Sequence, residues 1–342
     1  MKKLSKYILI LMLLSYLIIT QTACSSEVEP VSKDNYFLDT TCNISVHATD
    51  TSAKLDKDLA NKAIDKAYKL CAKLEKMLSK TIEVSDVSKI NSANGEWIEV
   101  SDYTKELLRK GIKYSKLSVG DFDITVGGIT SQWDFHAEDP KLPEKAKLSE
   151  AVKHIGYQNI EIDGNRVRLL DTETQIDLGG IAKGYIGDKI TESLEKDGIT
   201  SAIVNLGGNI ICIGTKPGED GFTIGVEAPF SDRTEIVGSV LAADKTLVTS
   251  GVYERMFELD GKIYHHILST ETGWPVKSDL DSVTLIADKG HSVDCDALST
   301  TCLIKGYKEA KKMIDTQDGI EAVFVLSNGD VKSTEGALFS SK

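Results

Sequence analysis

The sequence predicts an α+β fold, a single large domain with mainly antiparallel sheets and packed helices. Three observations lead to this prediction. The first half carries apolar residues at spacings of three and four, which is typical of amphipathic helices. The second half is richer in short strands, some joined at turns such as Asp260-Gly261 and Asn328-Gly329 that favour hairpins. Residues 36 to 342 contain neither a linker rich in Pro, Gly and Ser nor an internal repeat, so one domain is expected.

Each element is predicted from its local pattern. The helix at 56–80 is the clearest, because Leu59, Ala63 and Ala67 recur on one face. In the first half the same reasoning predicts strands at 36–48, 175–178 and 202–206, a hairpin at 160–170, and further helices at 103–116, 146–155 and 182–194. In the second half it predicts strands at 210–214, 222–228, 236–241 and 282–287, hairpins at 257–267 and 322–333, and helices at 293–304 and 307–315.

Composition and charge exclude one class of partner. The chain has 342 residues, of which 41% are hydrophobic and 27% charged, so it can bury a large core. Its 52 acidic residues outnumber its 40 basic ones and give a formal net charge of -12. Such a surface repels a phosphate backbone, and no basic block offsets it. Nucleic acid is therefore not expected as a partner.

The N-terminus predicts export and a lipid anchor. Three lysines precede a nearly uncharged 14-residue stretch from Tyr7 to Thr20, which is too short for an ordinary membrane-spanning helix. A signal peptide at 1–23 is expected, with a buried helix or uncleaved anchor as the alternative. Residues 22–26 resemble a bacterial lipobox with Cys24 as the acylated residue, although Gln21 stands where Leu is usual. The predicted protein is extracytoplasmic and lipid-anchored to the bacterial cell membrane, with a tether at 24–35 and the domain at 36–342.

Processing at this site changes both the charge and the cysteine count. Cleavage removes three lysines and no acidic residue, which takes the net charge from -12 to -15. If Cys24 is lipidated, five cysteines remain, with no Cys-x-x-Cys pair. An odd number without regular spacing predicts neither a disulfide framework nor a zinc site. These cysteines are interpreted as small buried hydrophobic residues.

A glycine corner is the first candidate site. Gly179-Gly180 follows the predicted buried strand and leads into the helix that begins near Ala182. Two glycines let the backbone approach a ligand, and a helix start directs free N–H groups at an anion. Lys183 adds a positive charge there. An ordinary strand-to-helix corner is the alternative, and the chain carries neither a dinucleotide fingerprint nor a P-loop.

An acidic helix and a histidine pair supply further candidates. Asp296 and Thr300 are four residues apart, so their oxygens share a helix face and suit Mg²⁺. The alternative is that Asp294 or Asp296 caps the helix. His265 and His266 follow a predicted strand, where neighbouring side chains point to opposite faces. At most one faces a given pocket, where a histidine titrating near neutrality could serve as a general base; the alternative is a surface histidine beside a structural one.

Taken together, these segments resemble the ApbE family, the FAD:protein FMN transferases, also described as flavin-trafficking lipoproteins. The resemblance extends in order along nearly the whole mature chain. It is carried by Leu38-Asp39-Thr40, Ser85 to Asn91, Gly120 to Gly127, Trp133-Asp134-Phe135, Asp177 to Tyr185, Asn205 to Gly208, Thr249 to Arg255, His265-His266-Ile267 and Asp296 to Thr300. The departures are Leu38 for Met, Asp39 for Gly, Thr81 where some members have Tyr, and Ser269 where many have Asp.

The resemblance implies a set of site residues. The flavin site is expected to draw on Leu38, Thr81, the segment Asp121-Phe122-Asp123, Asp177, Lys183 and Leu268. Magnesium is expected to be held by the Gly180 backbone carbonyl, Asp296 and Thr300, beside the FAD pyrophosphate. Lys183 is expected to stabilise phosphate charge. His266 is the candidate proton acceptor, with Asp294 or another nearby carboxylate as the alternative.

The implied reaction is a phosphoryl transfer. FAD is cleaved at its pyrophosphate, FMN passes to a threonine or serine hydroxyl of a target flavoprotein, and AMP leaves. The expected acceptors are membrane-associated electron-transfer subunits or a flavin-bearing extracellular reductase. The alternatives are a Mg²⁺-dependent FAD pyrophosphatase that gives FMN and AMP, and a flavin-binding lipoprotein without catalysis. A plain substrate-binding lipoprotein leaves the Asp296, Thr300 and His266 pattern unexplained.

Overall fold

The structure, a computed structural model, describes residues 29–231 and 234–342. The predicted signal peptide, Cys24 and the first residues of the predicted tether lie outside these ranges. The main folded unit runs from Val31 to Lys342. Within the described ranges, no helix combines the length and the apolar character that crossing a membrane requires.

Strands and helices alternate along the described chain. The strands are β1 (Val31–Phe37), β2 (Thr40–Ala48), β3 (Ile98–Glu99), β4 (Ile160–Asp163), β5 (Arg166–Leu169), β6 (Ser201–Leu206), β7 (Asn209–Ile213), β8 (Phe222–Glu227), β9 (Ile236–Ala242), β10 (Lys245–Gly251), β11 (Met256–Leu259), β12 (Lys262–His265), β13 (Leu280–Asp288), β14 (Glu321–Leu326), β15 (Val331–Ser333) and β16 (Phe339–Ser341). The helices are α1 (Lys57–Leu78), α2 (Asp86–Asn91), α3 (Asp102–Leu117), α4 (Gly127–Thr130), α5 (Lys145–Val152), α6 (Ala182–Lys196), α7 (Ser292–Lys305) and α8 (Tyr307–Ile314).

An eight-stranded sheet in the order β1-β2-β6-β7-β10-β13-β14-β15 forms the framework. All its pairings are antiparallel. Because side chains alternate between the faces of a strand, Ile211 of β7 faces the helices α1, α6 and α7, whereas Cys212 faces a second sheet of β16, β9 and β8. The predicted α+β class with mainly antiparallel sheets is confirmed.

The predicted strand at 36–48 is in fact a hairpin. Leu38 and Asp39 both adopt left-handed backbone angles, with φ of 57° and 56°, and join β1 to β2. Val31 already pairs with Val46, so residues 31–35 belong to the sheet and not to the predicted tether. The sequence gives little sign of β1 because it is a mostly exposed edge strand without an apolar alternation.

The predicted strand at 175–178 is wrong. Only Gln175 makes a bridge, to Val126, although Ile176 and Leu178 are buried as expected. The side chain of Asn91 replaces a strand partner, because its amide oxygen accepts from the Ile176 N–H at 2.7 Å and its amide nitrogen donates to the Ile176 carbonyl at 2.9 Å. Strand β10 was not predicted, nor were the short elements α2, α4, β3 and β16.

Helices α6 and α7 cross unusually closely. A Cβ atom at Gly184 would overlap the Ser292 carbonyl oxygen and lie 2.8 Å from Cβ of Asp296. The Asp188 carboxylate of α6 accepts from the N–H groups of Ser292 and Val293, each at 3.1 Å. The N-cap residue of α7 accepts no such bond with its own side chain, so a residue of α6 serves as the cap of α7. The crossing therefore fixes where α7 begins.

Replacing Gly184 with Ala is expected to destabilise the fold. The added methyl group meets backbone, which cannot rotate away, so the free energy of unfolding should fall by about 1–3 kcal/mol. Gly128→Ala is the matched control, because its added Cβ would lie 3.5 Å from Cβ of Ala151, an ordinary contact. Urea unfolding measures both variants. Equal loss in the two variants, or none in Gly184→Ala, would contradict the close crossing.

The Asp188 cap is expected to make stability depend on pH. Burial raises the pKa of this carboxyl from 3.8 to about 6. Since the folded state binds the proton more tightly, the stability from this group is present below about pH 4 and is lost as pH rises through 6. Asp188→Asn keeps one acceptor oxygen and does not titrate. The unfolding temperature of this variant minus that of wild type should therefore increase from pH 4 to pH 7.5. A difference that stays constant over this range would contradict the raised pKa.

Candidate active site

The candidate site lies where two hairpin turns meet the starts of α6 and α7. Strand β2 pairs with β6 through Cys42 and Leu206, which brings the β1–β2 and β6–β7 turns side by side. A Cβ atom at Gly207 would lie 2.8 Å from Cβ of Thr40, so the two turns are in contact. The strands thus supply the floor of the site and the helix starts supply its polar groups.

The glycine corner contacts two other predicted site residues. A Cβ atom at Gly180 would lie 3.0 Å from Cε2 of Phe122 and 3.8 Å from Oγ1 of Thr300. The segment 120–123 and helix α7 therefore meet the corner from two sides. Phe122 is buried, and its N–H donates to the Ser118 hydroxyl at 3.1 Å, which fixes the segment.

Asp296 is a buried carboxylate. Its Oδ2 accepts from the Gly184 N–H at 2.8 Å, and it forms no salt bridge with any described residue. Burial raises its pKa, although the Lys183 charge, the Gly184 N–H and the Asn209 amide act in the opposite direction. The Thr300 hydroxyl makes only a 3.5 Å contact, with the Asp296 backbone carbonyl. Both side chains keep oxygen lone pairs available for a ligand.

Asn209 adds a buried amide to the same place. Its side chain is 0% exposed, and neither polar atom makes a hydrogen bond within residues 29–231 and 234–342. Leaving a buried amide unpaired costs about 1–3 kcal/mol. This amide also acts to lower the pKa of Asp296.

The donor set fits Mg²⁺. Gly180, Asp296 and Thr300 offer a carbonyl, a carboxylate and a hydroxyl, which are all hard oxygen ligands. Within the described part of the chain there is no group of three His, Cys, Asp or Glu residues that could hold a metal. Mg²⁺ suits a site with one carboxylate, because it commonly keeps several waters and takes further oxygens from a substrate phosphate.

Lys183 is a positive charge without a partner. It lies in the first turn of α6 and forms neither a salt bridge nor a hydrogen bond with the described residues. Its charge nevertheless acts to lower the pKa of Cys42, His266 and Asp296, although burial raises the pKa of Cys42 and Asp296 overall. Lys183 therefore acts electrostatically on the start of β2, the histidine and the acidic helix.

His266 is held as a neutral imidazole. Burial, followed by the Arg255 charge, lowers its pKa to about 3. Its Nδ1 lies 3.2 Å from the Arg255 carbonyl oxygen, which can only accept, so Nδ1 carries the proton. Nε2 is then the acceptor, and it makes no hydrogen bond with the residues that the structure describes. The Nε2 of His265 lies 3.2 Å from the Val276 carbonyl, and its Nδ1 accepts from the Ile267 N–H at 3.3 Å. His265 is thus the structural member of the pair.

Asp294 faces a different part of the molecule. It accepts from the Tyr114 hydroxyl at 2.5 Å, and its other oxygen lies 2.9 Å from Nδ1 of His291. These bonds direct it toward α3, although it is only two residues from Asp296. The geometry does not favour Asp294 as the alternative proton acceptor.

Asp177 is bound from three sides. Lys80 lies 3.0 Å away, the Thr130 hydroxyl donates at 2.7 Å and the Gly179 N–H donates at 2.8 Å. Burial alone would raise its pKa, but these groups together hold the pKa below its usual value. Thr81 is exposed directly after Lys80. Sequence reasoning missed Lys80, because nothing local links it to Asp177.

The segment Asp121-Phe122-Asp123 points its side chains in different directions. Asp121 forms a salt bridge with Lys305 at the end of α7. It also borders a cavity of about 510 Å³ that is lined by residues 269–272 and 274–277 and by Ile304. The Asp123 carboxylate instead accepts from Thr125 and from the Tyr157 N–H at 2.9 Å. The Asp123 side chain therefore stabilises this loop through its hydrogen bonds.

The two predicted leucines differ in their surroundings. The N–H of Leu38 donates to Oε1 of Glu75 at 2.6 Å, which holds its left-handed turn in place. Two consecutive left-handed residues without a glycine cost about 1–2 kcal/mol each, so this bond offsets real strain. Leu268 is buried in a separate cluster with Ile129, Trp133 and Leu148.

Known proteins share this fold and sequence pattern. The model of the ApbE family matches residues 38–324. A protein named FAD:protein FMN transferase from Treponema pallidum (strain Nichols) is 28% identical over 327 residues, covering 91% of this chain and 88% of its own. One of the same name from Klebsiella pneumoniae (strain 342) is 31% identical over 269 residues, covering 78% and 83%.

Solved structures agree with the sequence comparison. The ApbE protein of Thermotoga maritima superposes with a TM-score of 0.80 at 31% identity and covers 90% of this chain and 97% of its own. The apo flavinyl transferase ApbE of Pseudomonas stutzeri gives a TM-score of 0.76 at 27% identity and covers 90% and 95%. With the family pattern matched over residues 38–324 and the same overall fold as a solved ApbE protein, this chain belongs to the ApbE family.

Proposed function

We propose that this chain is a Mg²⁺-dependent FAD:protein FMN transferase that attaches FMN covalently to a threonine or serine hydroxyl of an acceptor flavoprotein and releases AMP. Its relatives in Treponema pallidum and Klebsiella pneumoniae carry the name of this activity, and a transferase is what membership of the family supports. One observation carries the proposal: the charge of Lys183 acts on the buried Asp296 carboxylate, and neither side chain forms a salt bridge with any of the described residues.

The proposed FAD site is made of the residues that the family resemblance indicates. These are Leu38, Thr81, the segment 121–123, Asp177, Lys183 and Leu268. Their surroundings suggest different roles for them. The cavity beside Asp121 offers room for part of a nucleotide, whereas Lys183 offers the only unpaired ammonium close to Asp296 among the described residues.

Gly180, Asp296 and Thr300 are the proposed metal ligands. Bound there, Mg²⁺ would neutralise charge on the diphosphate as the phosphorus–oxygen bond breaks. The Gly184 N–H donates to Oδ2 of Asp296 and orients the carboxylate. Lys183 supplies a second positive charge from the protein itself. A chain with a net charge of -12 thereby attracts an anion at this one place.

His266 is the proposed proton acceptor. The acceptor hydroxyl loses its proton to Nε2 while its oxygen bonds to the FMN phosphorus, and the bond from that phosphorus to the bridging oxygen breaks, releasing AMP. The pKa of about 3 makes the free imidazole a weak base. A diphosphate anion bound nearby raises that pKa, because it stabilises the protonated ring. Base strength therefore increases when substrate binds.

The proposed location follows from the N-terminal pattern. Lipidation at Cys24 would hold the domain at the outer face of the bacterial cell membrane. The acceptor flavoprotein would have to expose its hydroxyl on that same side. The residues that carry this proposal lie outside those that the structure describes.

Asp296→Asn is expected to abolish the metal-dependent reaction. The amide keeps the shape but removes the charge that binds Mg²⁺, so transfer should fall at least about 100-fold. Asp294→Asn is the control and should stay near wild type. Purified chain, FAD, Mg²⁺ and an acceptor flavoprotein are incubated, and AMP and covalent flavin are both measured. AMP without acceptor would indicate a pyrophosphatase, and bound flavin without AMP would indicate a carrier; either contradicts the proposal.

His266→Gln is expected to lose transfer by about 100- to 10,000-fold while FAD still binds. In the free wild-type protein the imidazole should remain neutral at pH 5, because its pKa is lowered to about 3. NMR of protein labelled with ¹⁵N-histidine checks this directly, with the variant identifying the His266 signals. Titration of those signals near pH 6.5 would contradict the buried environment, and full activity of the variant would contradict the base assignment.

A further inference from the structure

Two neighbouring threonines of α7 use their hydroxyl groups differently. A threonine hydroxyl in an α-helix commonly donates to the carbonyl three or four residues earlier. Thr301 does so, because its hydroxyl donates to the Ala297 carbonyl at 2.9 Å. The Thr300 hydroxyl lies 3.5 Å from the Asp296 carbonyl, which is longer than a normal hydrogen bond between two oxygens. It lies instead toward the glycine corner, where a Cβ atom at Gly180 would be 3.8 Å away.

Ser299 explains this difference. Its side chain is 0% exposed, and its hydroxyl donates to the Asp296 carbonyl at 3.0 Å. A carbonyl oxygen has two lone pairs, and the helical N–H of Thr300 uses the other one. The Asp296 carbonyl therefore has no lone pair left for the Thr300 hydroxyl.

The large sheet holds Ser299 in this arrangement. The hydroxyl oxygen of Ser299 lies 2.8 Å from that of Ser250 on β10. Because the single hydroxyl proton of Ser299 goes to the Asp296 carbonyl, Ser250 is the donor of this second bond. The backbone of Ser250 is fixed by the pairing of β10 with Val283 of β13. Two hydroxyl groups thus connect the sheet to the backbone of a proposed metal ligand.

We propose that Ser299 is a positioning residue, which occupies the Asp296 carbonyl and so keeps the Thr300 hydroxyl directed at the glycine corner, where Mg²⁺ would bind. Ser250 supports it from the sheet. This inference rests on the proposed function. The two serines contact neither FAD nor the metal, and they act by fixing the side-chain orientation in which the threonine oxygen is a ligand. Residues that orient a metal ligand typically change metal affinity or activity by about 10- to 100-fold.

Ser299→Ala tests this role. The Thr300 hydroxyl can then replace the missing donor on the Asp296 carbonyl, so the free variant should unfold at nearly the wild-type temperature. In a crystal grown without FAD or metal, the distance from Oγ1 of Thr300 to that carbonyl should shorten from 3.5 Å to about 2.8 Å. The Mg²⁺ concentration that gives half of the rise in unfolding temperature with FAD should increase at least about 10-fold. The transfer rate at saturating Mg²⁺ should approach that of wild type.

Thr301→Val is the matched control. It also removes one buried hydroxyl that bonds to a carbonyl of α7, but this bond does not involve Asp296. The control should therefore keep the wild-type Mg²⁺ requirement. Ser250→Ala is a second variant, which leaves α7 unchanged and lets the Ser299 hydroxyl turn away from the carbonyl. It should raise the Mg²⁺ requirement in the same direction, and it decides the question alone if Ser299→Ala unfolds at a much lower temperature.

Three results would overturn the inference. They are a wild-type Mg²⁺ requirement in the serine variants, a Thr300 hydroxyl that stays 3.5 Å from the carbonyl in Ser299→Ala, and an equal rise of the requirement in Thr301→Val. A different result identifies failure of the proposed function. If wild type shows neither a response to FAD and Mg²⁺ nor AMP release, the proposed function fails and this inference falls with it, wherever the Thr300 hydroxyl lies.

Discussion

The close crossing of α6 and α7 at Gly184 is the contact on which the candidate site depends. Only a glycine lets α6 approach the Ser292 carbonyl and Asp296 at this distance. Since Gly184 also donates its N–H to Asp296, the same contact fixes the packing and orients the carboxylate. Lys183 directly precedes Gly184, so its positive charge lies in the part of α6 that contacts Asp296.

Two kinds of group surround that crossing. The carboxylates of Asp177 and Asp123 accept hydrogen bonds from other groups of the protein, so they stabilise the loops that carry the site. Lys183 and Asp296, by contrast, form no salt bridge with any of the described residues. The loops are therefore held by internal hydrogen bonds, and the centre of the site keeps charged groups that the proposed substrate and metal would bind.

Local spacing explains what the sequence could predict. Asp296 and Thr300 share a face because a helix repeats every 3.6 residues, and the corner at Gly180 follows from its two glycines. Long-range partners are absent from such patterns. Asn91 replaces a strand partner for Ile176, and Lys80 reaches Asp177 from the end of α1. Asp294 and Asp296 are two residues apart yet face different elements, which only the packing of α7 decides.

Locating the metal tests the proposed site most directly. Mn²⁺ prefers oxygen ligands as Mg²⁺ does, and its anomalous scattering identifies it in a crystal grown with FAD. One peak is expected at about 2.0–2.4 Å from the Gly180 carbonyl oxygen, an Asp296 carboxylate oxygen and the Thr300 hydroxyl. A peak held by other residues, or bound FAD without metal at the crossing of α6 and α7, would contradict the proposed metal site.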